Sequence, residues 1–335
     1  MSKSSESAED RLIARYFGPL ATAPGALGLL DDAAALTPPP GCDLVLTTDG
    51  VIAGVHFFPD DPPDAIARKA LRMNLSDLAA KGASPLGFLL SLALPAGTDE
   101  TWDETWLGAF AAGLGDDAAR YGCPLFGGDT DHTPGPASVS IAAFGAVPQG
   151  KMVRRSTAKP GDCIVVTGTI GDAALGLKLR RDRGLARRLS LSEAATAHLE
   201  QRYLLPQPRN ALAAAVLHHA TAAIDISDGL AGDIAKLCRA SSVAAKIDVS
   251  RVPLSDAARA AIAAEPALLE TALTGGDDYE IALTLPPDKF AQFQEAARAA
   301  GVAVTEIGRI EAGAGARFVR EGKAMTFTRA SYSHF

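Results

Sequence analysis

Short apolar runs alternate along this chain with breaks of glycine, serine, threonine and aspartate, and their spacing predicts strands and helices in turn. Leu44, Val45 and Leu46 predict a strand that runs into Thr47, Thr48, Asp49 and Gly50. Asp64 to Gly82 predicts a helix with an acidic start and a glycine stop, with Asp77 in its last turns. Leu86 to Leu94 predicts a buried strand, residues 99 to 121 an amphipathic helix around Trp102 and Trp106, and Leu125 with Phe126 a short strand opening into Gly127, Gly128, Asp129 and Thr130. A further strand is expected from Ser138 to Val147, and a short helix starting within Leu12 to Phe17.

The basic, turn-rich stretch Gly150 to Gly161 marks a change of composition, and Cys163 to Thr167 starts a new strand after it. The expected division is therefore 1–149 and 150–335, since 335 residues is long for one core and short for three. In the second half, Ile224 to Gly229 reads as a strand that ends in paired carboxylates and passes into a helix over Leu230 to Ala240. Leu273 to Glu280 is a Gly-Gly turn followed by acids, after which Ile281, Leu283 and Leu285 predict a half-buried strand. The fold class is α/β, with α+β character, in two domains.

Composition narrows the function. With 47% hydrophobic and 21% charged residues the chain can fill sizeable cores, and a net charge of -7 without a basic stripe argues against a nucleic-acid partner. Cys42, Cys123, Cys163 and Cys238 are widely spaced, which indicates neither a zinc site nor a disulfide framework and points to a reducing cytoplasm. The acidic start MSKSSESAED is unlike an export signal, and Leu86 to Leu94 is too short to cross a bilayer.

Asp32, Asp49, Asp77, Asp129, Asp225, Asp228, Asp277 and Asp278 stand where apolar runs break. Taken singly, each reads as a turn former or cap, and Asp77 also as the partner of Lys81 one turn on, with Asn74 on the same face. Together they suggest a dispersed acidic site, because the ends of strands are where open α/β sheets place ligands. Converging carboxylates repel, so a shared site needs cations; hard oxygen donors suit Mg²⁺, which commonly works alongside substrate phosphates. Common phosphate-binding motifs are absent: there is no G-x-x-x-x-G-K-[ST], no G-x-G-x-x-G after a strand and no kinase H-R-D with D-F-G. His56 and the pair Arg154 and Arg155 stay open between structural and phosphate-related roles.

A series of motifs gives the chain a likeness to a known family. They are LIARYF from Leu12, DDAA from Asp31, TTDG from Thr47, GVHF from Gly54, KALRMNLSDLAAKGA from Lys69, FGGDT from Phe126, RRSTAKPGD from Arg154, VTGTIGDAALGL from Val166, DISDGL from Asp225, TGGDDYE from Thr274 and YSHF at the end. In that order the chain resembles the thiamine-monophosphate kinases, within the superfamily of the ATP-dependent aminoimidazole ribonucleotide synthetases.

The resemblance implies transfer of the γ-phosphoryl group of ATP to thiamine monophosphate, giving thiamine diphosphate, with several Mg²⁺ ions and no covalent enzyme intermediate. It implies Asp32, Thr47, Thr48, Asp49, Asp77, Asp129, Asp225 and Asp228 as metal ligands; Gly128, Asp129, Arg155 and Ser227 as nucleotide contacts; and His56, Asp277 and Tyr332 as contacts of the thiamine substrate. Asp49, Asp77, Asp129 and Arg155 are the positions it assigns to catalysis. It also implies a homodimer whose amino-terminal domains pair into a shared β-barrel, with a carboxy-terminal α/β domain completing the site. Two positions depart from the family pattern: Leu30 stands where glycine commonly precedes the paired aspartates, and Asp277 where glutamate is frequent. The alternative reading is a sister ATP-dependent synthetase or ligase of the same superfamily. A non-catalytic metal module is disfavoured, since such loops keep their ligands close together in sequence.

Overall fold

The computed structural model describes residues 7–95, 102–329 and 331. The chain divides into two compact units, one of Met1–Leu78 with Ser84–Gly150 and one of Ala79–Ala83 with Lys151–Phe335.

The first unit opens with α1 (Ala8–Leu12), capped reciprocally by Ser7 and Asp10, and a wide turn over Ile13–Phe17. It then contains β1 (Cys42–Ile52), α2 (Pro63–Ala80), β2 (Ser84–Pro95), α3 (Glu104–Tyr121), β3 (Leu125–Thr133) and β4 (Ser138–Pro148). Asp103 caps α3 by accepting the Trp106 N–H at 2.8 Å, and Gly122 ends it with φ 61°. The start expected near residue 99 lies outside the described residues.

β1 is longer than its apolar core predicts. Threonines suit a pleated strand, and pairing with β4 runs unbroken from Cys42 opposite Pro148 to Ile52 opposite Ser138, so Thr47–Gly50 lie within the strand rather than beyond it. The sheet order is β1-β4-β2-β3, with β2 and β3 parallel across α3 and the other pairs antiparallel. One face buries Val45, Val51, Phe88, Leu90, Leu92, Val139 and Ile141. The other face is apolar yet open: Leu46 is 72% exposed, and Leu44, Ile52 and Leu89 are exposed beside it.

The second unit contains β5 (Cys163–Thr167), α4 (Asp172–Arg181), α5 (Leu185–Arg188), α6 (Glu193–Leu204), α7 (Ala213–His219), β6 (Ala222–Ile226), α8 (Leu230–Ser241) and β7 (Ala244–Asp248). It continues with α9 (Asp256–Ala264), α10 (Leu268–Thr274), β8 (Glu280–Leu285), α11 (Phe290–Ala299), β9 (Val304–Glu311), β10 (Gly315–Arg320) and β11 (Lys323–Ala324). The sheet order is β11-β10-β7-β9-β5-β8-β6. Ile164 and Val166 of β5 enter one hydrophobic cluster and Cys163 and Val165 another, because both faces of this sheet are covered. The same double cover buries all of β8, which its alternation had marked as half-buried. Among the described residues, no helix is long and apolar enough to cross a membrane.

Candidate active site

Strand alternation turns Thr47 and Asp49 to the same side of β1 as buried Val45 and Val51. There they meet α2. The Thr47 hydroxyl donates to the Asp77 carboxylate, and the Asp49 N–H donates to Asn74 Oδ1 at 3.0 Å. Asn74 is wholly buried and donates its own amide to the Ala70 carbonyl at 3.0 Å, so both ends of the side chain are occupied. Asn74 and Asp77, three residues apart on α2, thus grip the TTDG strand by backbone and by side chain. Thr48, the intervening residue, falls on the open face and is exposed.

α2 is held in turn by α3. Arg72 forks onto Asp117 through Nε at 2.5 Å and Nη2 at 2.9 Å, and Arg68 Nη1 adds a contact at 3.3 Å. At the far end of β1, the Ile52 N–H donates to His56 Nδ1 at 3.0 Å, which assigns the proton of a neutral imidazole to Nε2. Lys69 Nζ donates to the His56 carbonyl at 3.0 Å.

A second group lies at the free edge of β3. A cavity of about 520 Å³ is lined by Phe17, Asp31, Asp32, Phe126, Gly128 and Asp129, among others. Gly128 is dictated by backbone approach: a Cβ there would lie 1.8 Å from the Leu90 carbonyl oxygen. Leu30, in place of the family glycine, has φ -103° and carries no left-handed strain; the left-handed residues are Leu27 and Leu29, at φ 52° and 58°, on either side of Gly28. The two acidic groups of this unit are separate. Asp49 stands opposite Ile141, Ile141 opposite Leu90 and Leu90 opposite Gly128, so they lie three strands, about 14 Å, apart across the sheet. Asp129 stands opposite Ser91 and so shares the open face with Thr48.

In the second unit β6 and β8 bring the remaining acids together. Beyond the ladder that pairs Asp225 with Ile281, the Tyr279 N–H donates to the Ile226 carbonyl at 2.8 Å and the Asp277 N–H to the Ser227 carbonyl at 2.9 Å. Asp225 is buried, while Ser227, Asp228 and Asp277 are half-buried. The loops lie so close that a Cβ on Gly276 would meet the Ser227 carbonyl at 2.3 Å. Asp277 and Tyr279 both adopt left-handed backbone, at φ 73° and 50°, a conformation that costs about 1–3 kcal/mol per non-glycine residue.

Asp228 is engaged by Lys236, which also contacts Asp233 at 2.8 Å. Burial opposes the charge on Lys236, but the bonds from these two carboxylates outweigh it and raise its pKa. Arg155 is exposed, and its carbonyl accepts from Ser241 Oγ at 2.9 Å. Tyr332 lies outside the described residues.

Sequence reasoning missed the enclosure of Glu280, and it grouped Asp278 with the acidic site, from which burial removes it. Glu280 is enclosed by Arg202, Arg209 and Thr167, and Asp278, whose pKa burial pushes well above the usual carboxylate value, clasps Gly171. The arginines lie 78 and 71 residues from Glu280, and no local pattern links them.

Among the described residues, no three His, Cys, Asp or Glu side chains already form a metal cage. The donors at β1 and α2 are nonetheless hydroxyl and carboxylate oxygens, and Mg²⁺ keeps waters and substrate phosphates in its shell rather than needing an all-protein cage. The donor set therefore fits that ion.

Residues 30–147 match the N-terminal domain of AIR synthase related proteins, and residues 159–320 match the C-terminal domain of the same class. The two-unit fold and its acidic loops thus define an AIR synthase related protein. Within that class, the chain is 44% identical to the thiamine-monophosphate kinase of Caulobacter vibrioides over 96% of its own length and 89% of the relative's. The crystal structure of thiamine-monophosphate kinase from Stenotrophomonas maltophilia K279a superposes with a TM-score of 0.81 at 37% identity, covering 94% of this chain and 96% of that one. A structure described as AaThiL complexed with AMPPCP and TMP gives 0.77 at 30% identity, covering 93% and 97%. The chain belongs to the thiamine-monophosphate kinase family.

Proposed function

We infer that this protein transfers the γ-phosphoryl group of ATP directly to the phosphate of thiamine monophosphate, giving thiamine diphosphate. The observation that carries the reading is the grip of Asn74 and Asp77 on Asp49 and Thr47, which fixes hard oxygen donors on two rigid elements in a chain whose relatives are named for this reaction. The acceptor phosphate has its second pKa near 6 and is already mostly dianionic near neutral pH, so no general base is needed. The obstacle is the approach of two polyanions. Bound Mg²⁺ supplies charge neutralisation there.

The chain's own residues then act by positioning. The proposed metal ligands fall in separate groups, Asp49, Asp77 and Thr47 on β1 and α2, Asp32 and Asp129 at the β3 cavity, and Asp225 and Asp228 in the second unit, with Thr48 on the open face of β1; the Thr47 hydroxyl keeps the Asp77 carboxylate in one orientation. Gly128, which lines the β3 cavity, would contact the nucleotide, with Arg155 offering a guanidinium fork to the triphosphate and Ser227 a hydroxyl. His56, with its proton on Nε2, and Asp277 would each contact the acceptor. Asp277 is one methylene shorter than the family glutamate and reaches it through water. In a direct assay, purified protein consumes ATP only when thiamine monophosphate and Mg²⁺ are both present; turnover with an aminoimidazole precursor instead, or none, would overturn the assignment.

The quaternary reading is a homodimer formed through the open sheet face. Leu44, Leu46 and Leu89 form an exposed apolar surface there, and β1 and β3 are free edges, which is the arrangement a second copy would close into a barrel. Such closure would also let the β1 group of one copy approach the β3 pocket of the other. Leu46→Asp is expected to shift the protein to monomer in sedimentation velocity; an unchanged dimer would refute this use of the face. The free thiols of Cys42, Cys123, Cys163 and Cys238 agree with a reducing cytoplasm as the place of action.

A further inference from the structure

The segment Thr274–Glu280 holds two buried acids that the proposed chemistry does not use. Asp278 is 1% exposed, and both of its carboxylate oxygens accept the Gly171 N–H, at 3.0 and 2.8 Å. Gly171 is the N-cap of α4; its φ is 86° and a Cβ there would lie 2.4 Å from that of Ala272, so this clasp is made to a backbone that only glycine can provide. Glu280 accepts from Thr167 Oγ1 at 2.6 Å, Arg202 Nη2 at 2.9 Å and Arg209 Nε at 2.6 Å, and Arg209 Nη2 completes the fork. Arg202 Nη2 also lies 3.4 Å from the Asp278 carbonyl oxygen.

These two acids alternate with the left-handed residues Asp277 and Tyr279. Positions 278 and 280 point into the unit, while the N–H groups of 277 and 279 are pinned to Ser227 and Ile226. The Tyr279 hydroxyl, itself on a buried side chain, lies 3.4 Å from Asp277 Oδ1. Stability alone does not explain the arrangement, because a buried ion cluster is frequently no more stabilising than well-packed apolar residues. What a saturated polar anchor provides is a single orientation, and a left-handed non-glycine residue persists only where its surroundings over-determine it.

We propose that Asp278 is a positioning residue: by clasping the start of α4 it holds Asp277 in its left-handed conformation beside the Asp225–Asp228 loop, and thereby sets recognition of the cationic ring of the acceptor. The inference rests on the reading of Asp277 as a contact of thiamine monophosphate. Asp278 itself is enclosed and acts only through its neighbour.

The test compares Asp278→Ala, Asp278→Asn and Asp277→Ala by calorimetric binding of thiamine monophosphate and of AMPPCP, together with steady-state kinetics. For Asp278→Ala, Kd and KM for thiamine monophosphate rise about tenfold while those for the nucleotide stay within about twofold, the split expected when one substrate contact is misplaced. Asp278→Asn, whose carbonyl oxygen can still accept the Gly171 N–H, restores acceptor affinity to within about threefold of wild type. Equal weakening of both substrates, an unchanged acceptor affinity, or no rescue by asparagine would overturn the proposal. If Asp277→Ala weakens the acceptor while Asp278→Ala does not, the positioning role alone is wrong; if Asp277→Ala has no effect on acceptor binding, the reading beneath it is wrong as well. Should Asp278→Ala fail to fold, Arg202→Gln, which leaves Glu280 held by Arg209, is expected to give the same split at about threefold, and its absence counts equally against the idea.

Discussion

Asp49→Asn lowers kcat by about 10²–10³-fold, the range seen when one electrostatic contact to a developing charge is removed. The carboxamide keeps the side-chain shape, and the backbone N–H that Asp49 donates to Asn74 at 3.0 Å is untouched, so the strand and its grip on α2 persist. What is lost is a negative donor to a hard cation, and a mutually repulsive charge goes with it. Stability therefore stays within about 1 kcal/mol of wild type by thermal or denaturant unfolding, while the Mg²⁺ concentration for half-maximal rate rises. A variant that turns over like wild type when Mg²⁺ is limiting would remove Asp49 from the site.

The second large effect concerns Asp117. Its carboxylate is wholly enclosed and takes the Arg72 fork at 2.5 and 2.9 Å, with Arg68 at 3.3 Å. Asp117→Ala removes the carboxylate that takes the fork of a buried guanidinium, a change of the kind that costs about 3–5 kcal/mol. The midpoint for unfolding of the first unit falls by on the order of 10 °C. The Arg72–Asp117 pair fixes α2 to α3, and α2 presents Asn74 and Asp77 to β1, so activity drops well below the new midpoint as the presentation loosens. A loss under about 1 kcal/mol in a denaturant titration would show that Arg72 finds water or another acceptor and that the clamp is dispensable.

Much of this was legible from residue order. The apolar runs gave strands β2, β4 and β5 close to their observed limits, and the glycine stop and acidic start of α2 were visible because caps are local chemistry; β6 was read as Ile224–Gly229 but runs from Ala222 to Ile226, leaving Ser227–Gly229 in the loop. The motif series named the family outright. The extent of β1 was less legible: Thr47–Gly50 looks like a strand exit, and only the partner strand β4 keeps it extended. β8 was judged half-buried from its alternation, yet its place between β5 and β6 in a doubly covered sheet buries every residue. Leu30 departs from the family glycine, yet its backbone is not left-handed; the left-handed residues here are Leu27, Gly28 and Leu29.

The sequence by itself determined where strands and helices start and where carboxylates interrupt them, because periodicity and capping act over a few residues; the demand for glycine at Gly128 and Gly171 comes from Leu90 and Ala272, far away in the chain. Only the tertiary structure decided which carboxylates become neighbours. Asp77 meets Thr47 across 30 residues, Glu280 meets Arg202 across 78, and Asp49 and Asp129 fall on opposite edges and faces of one sheet. Such pairings depend on strand order and register, which are set by closing long loops against a shared core, and nothing in the local pattern encodes them.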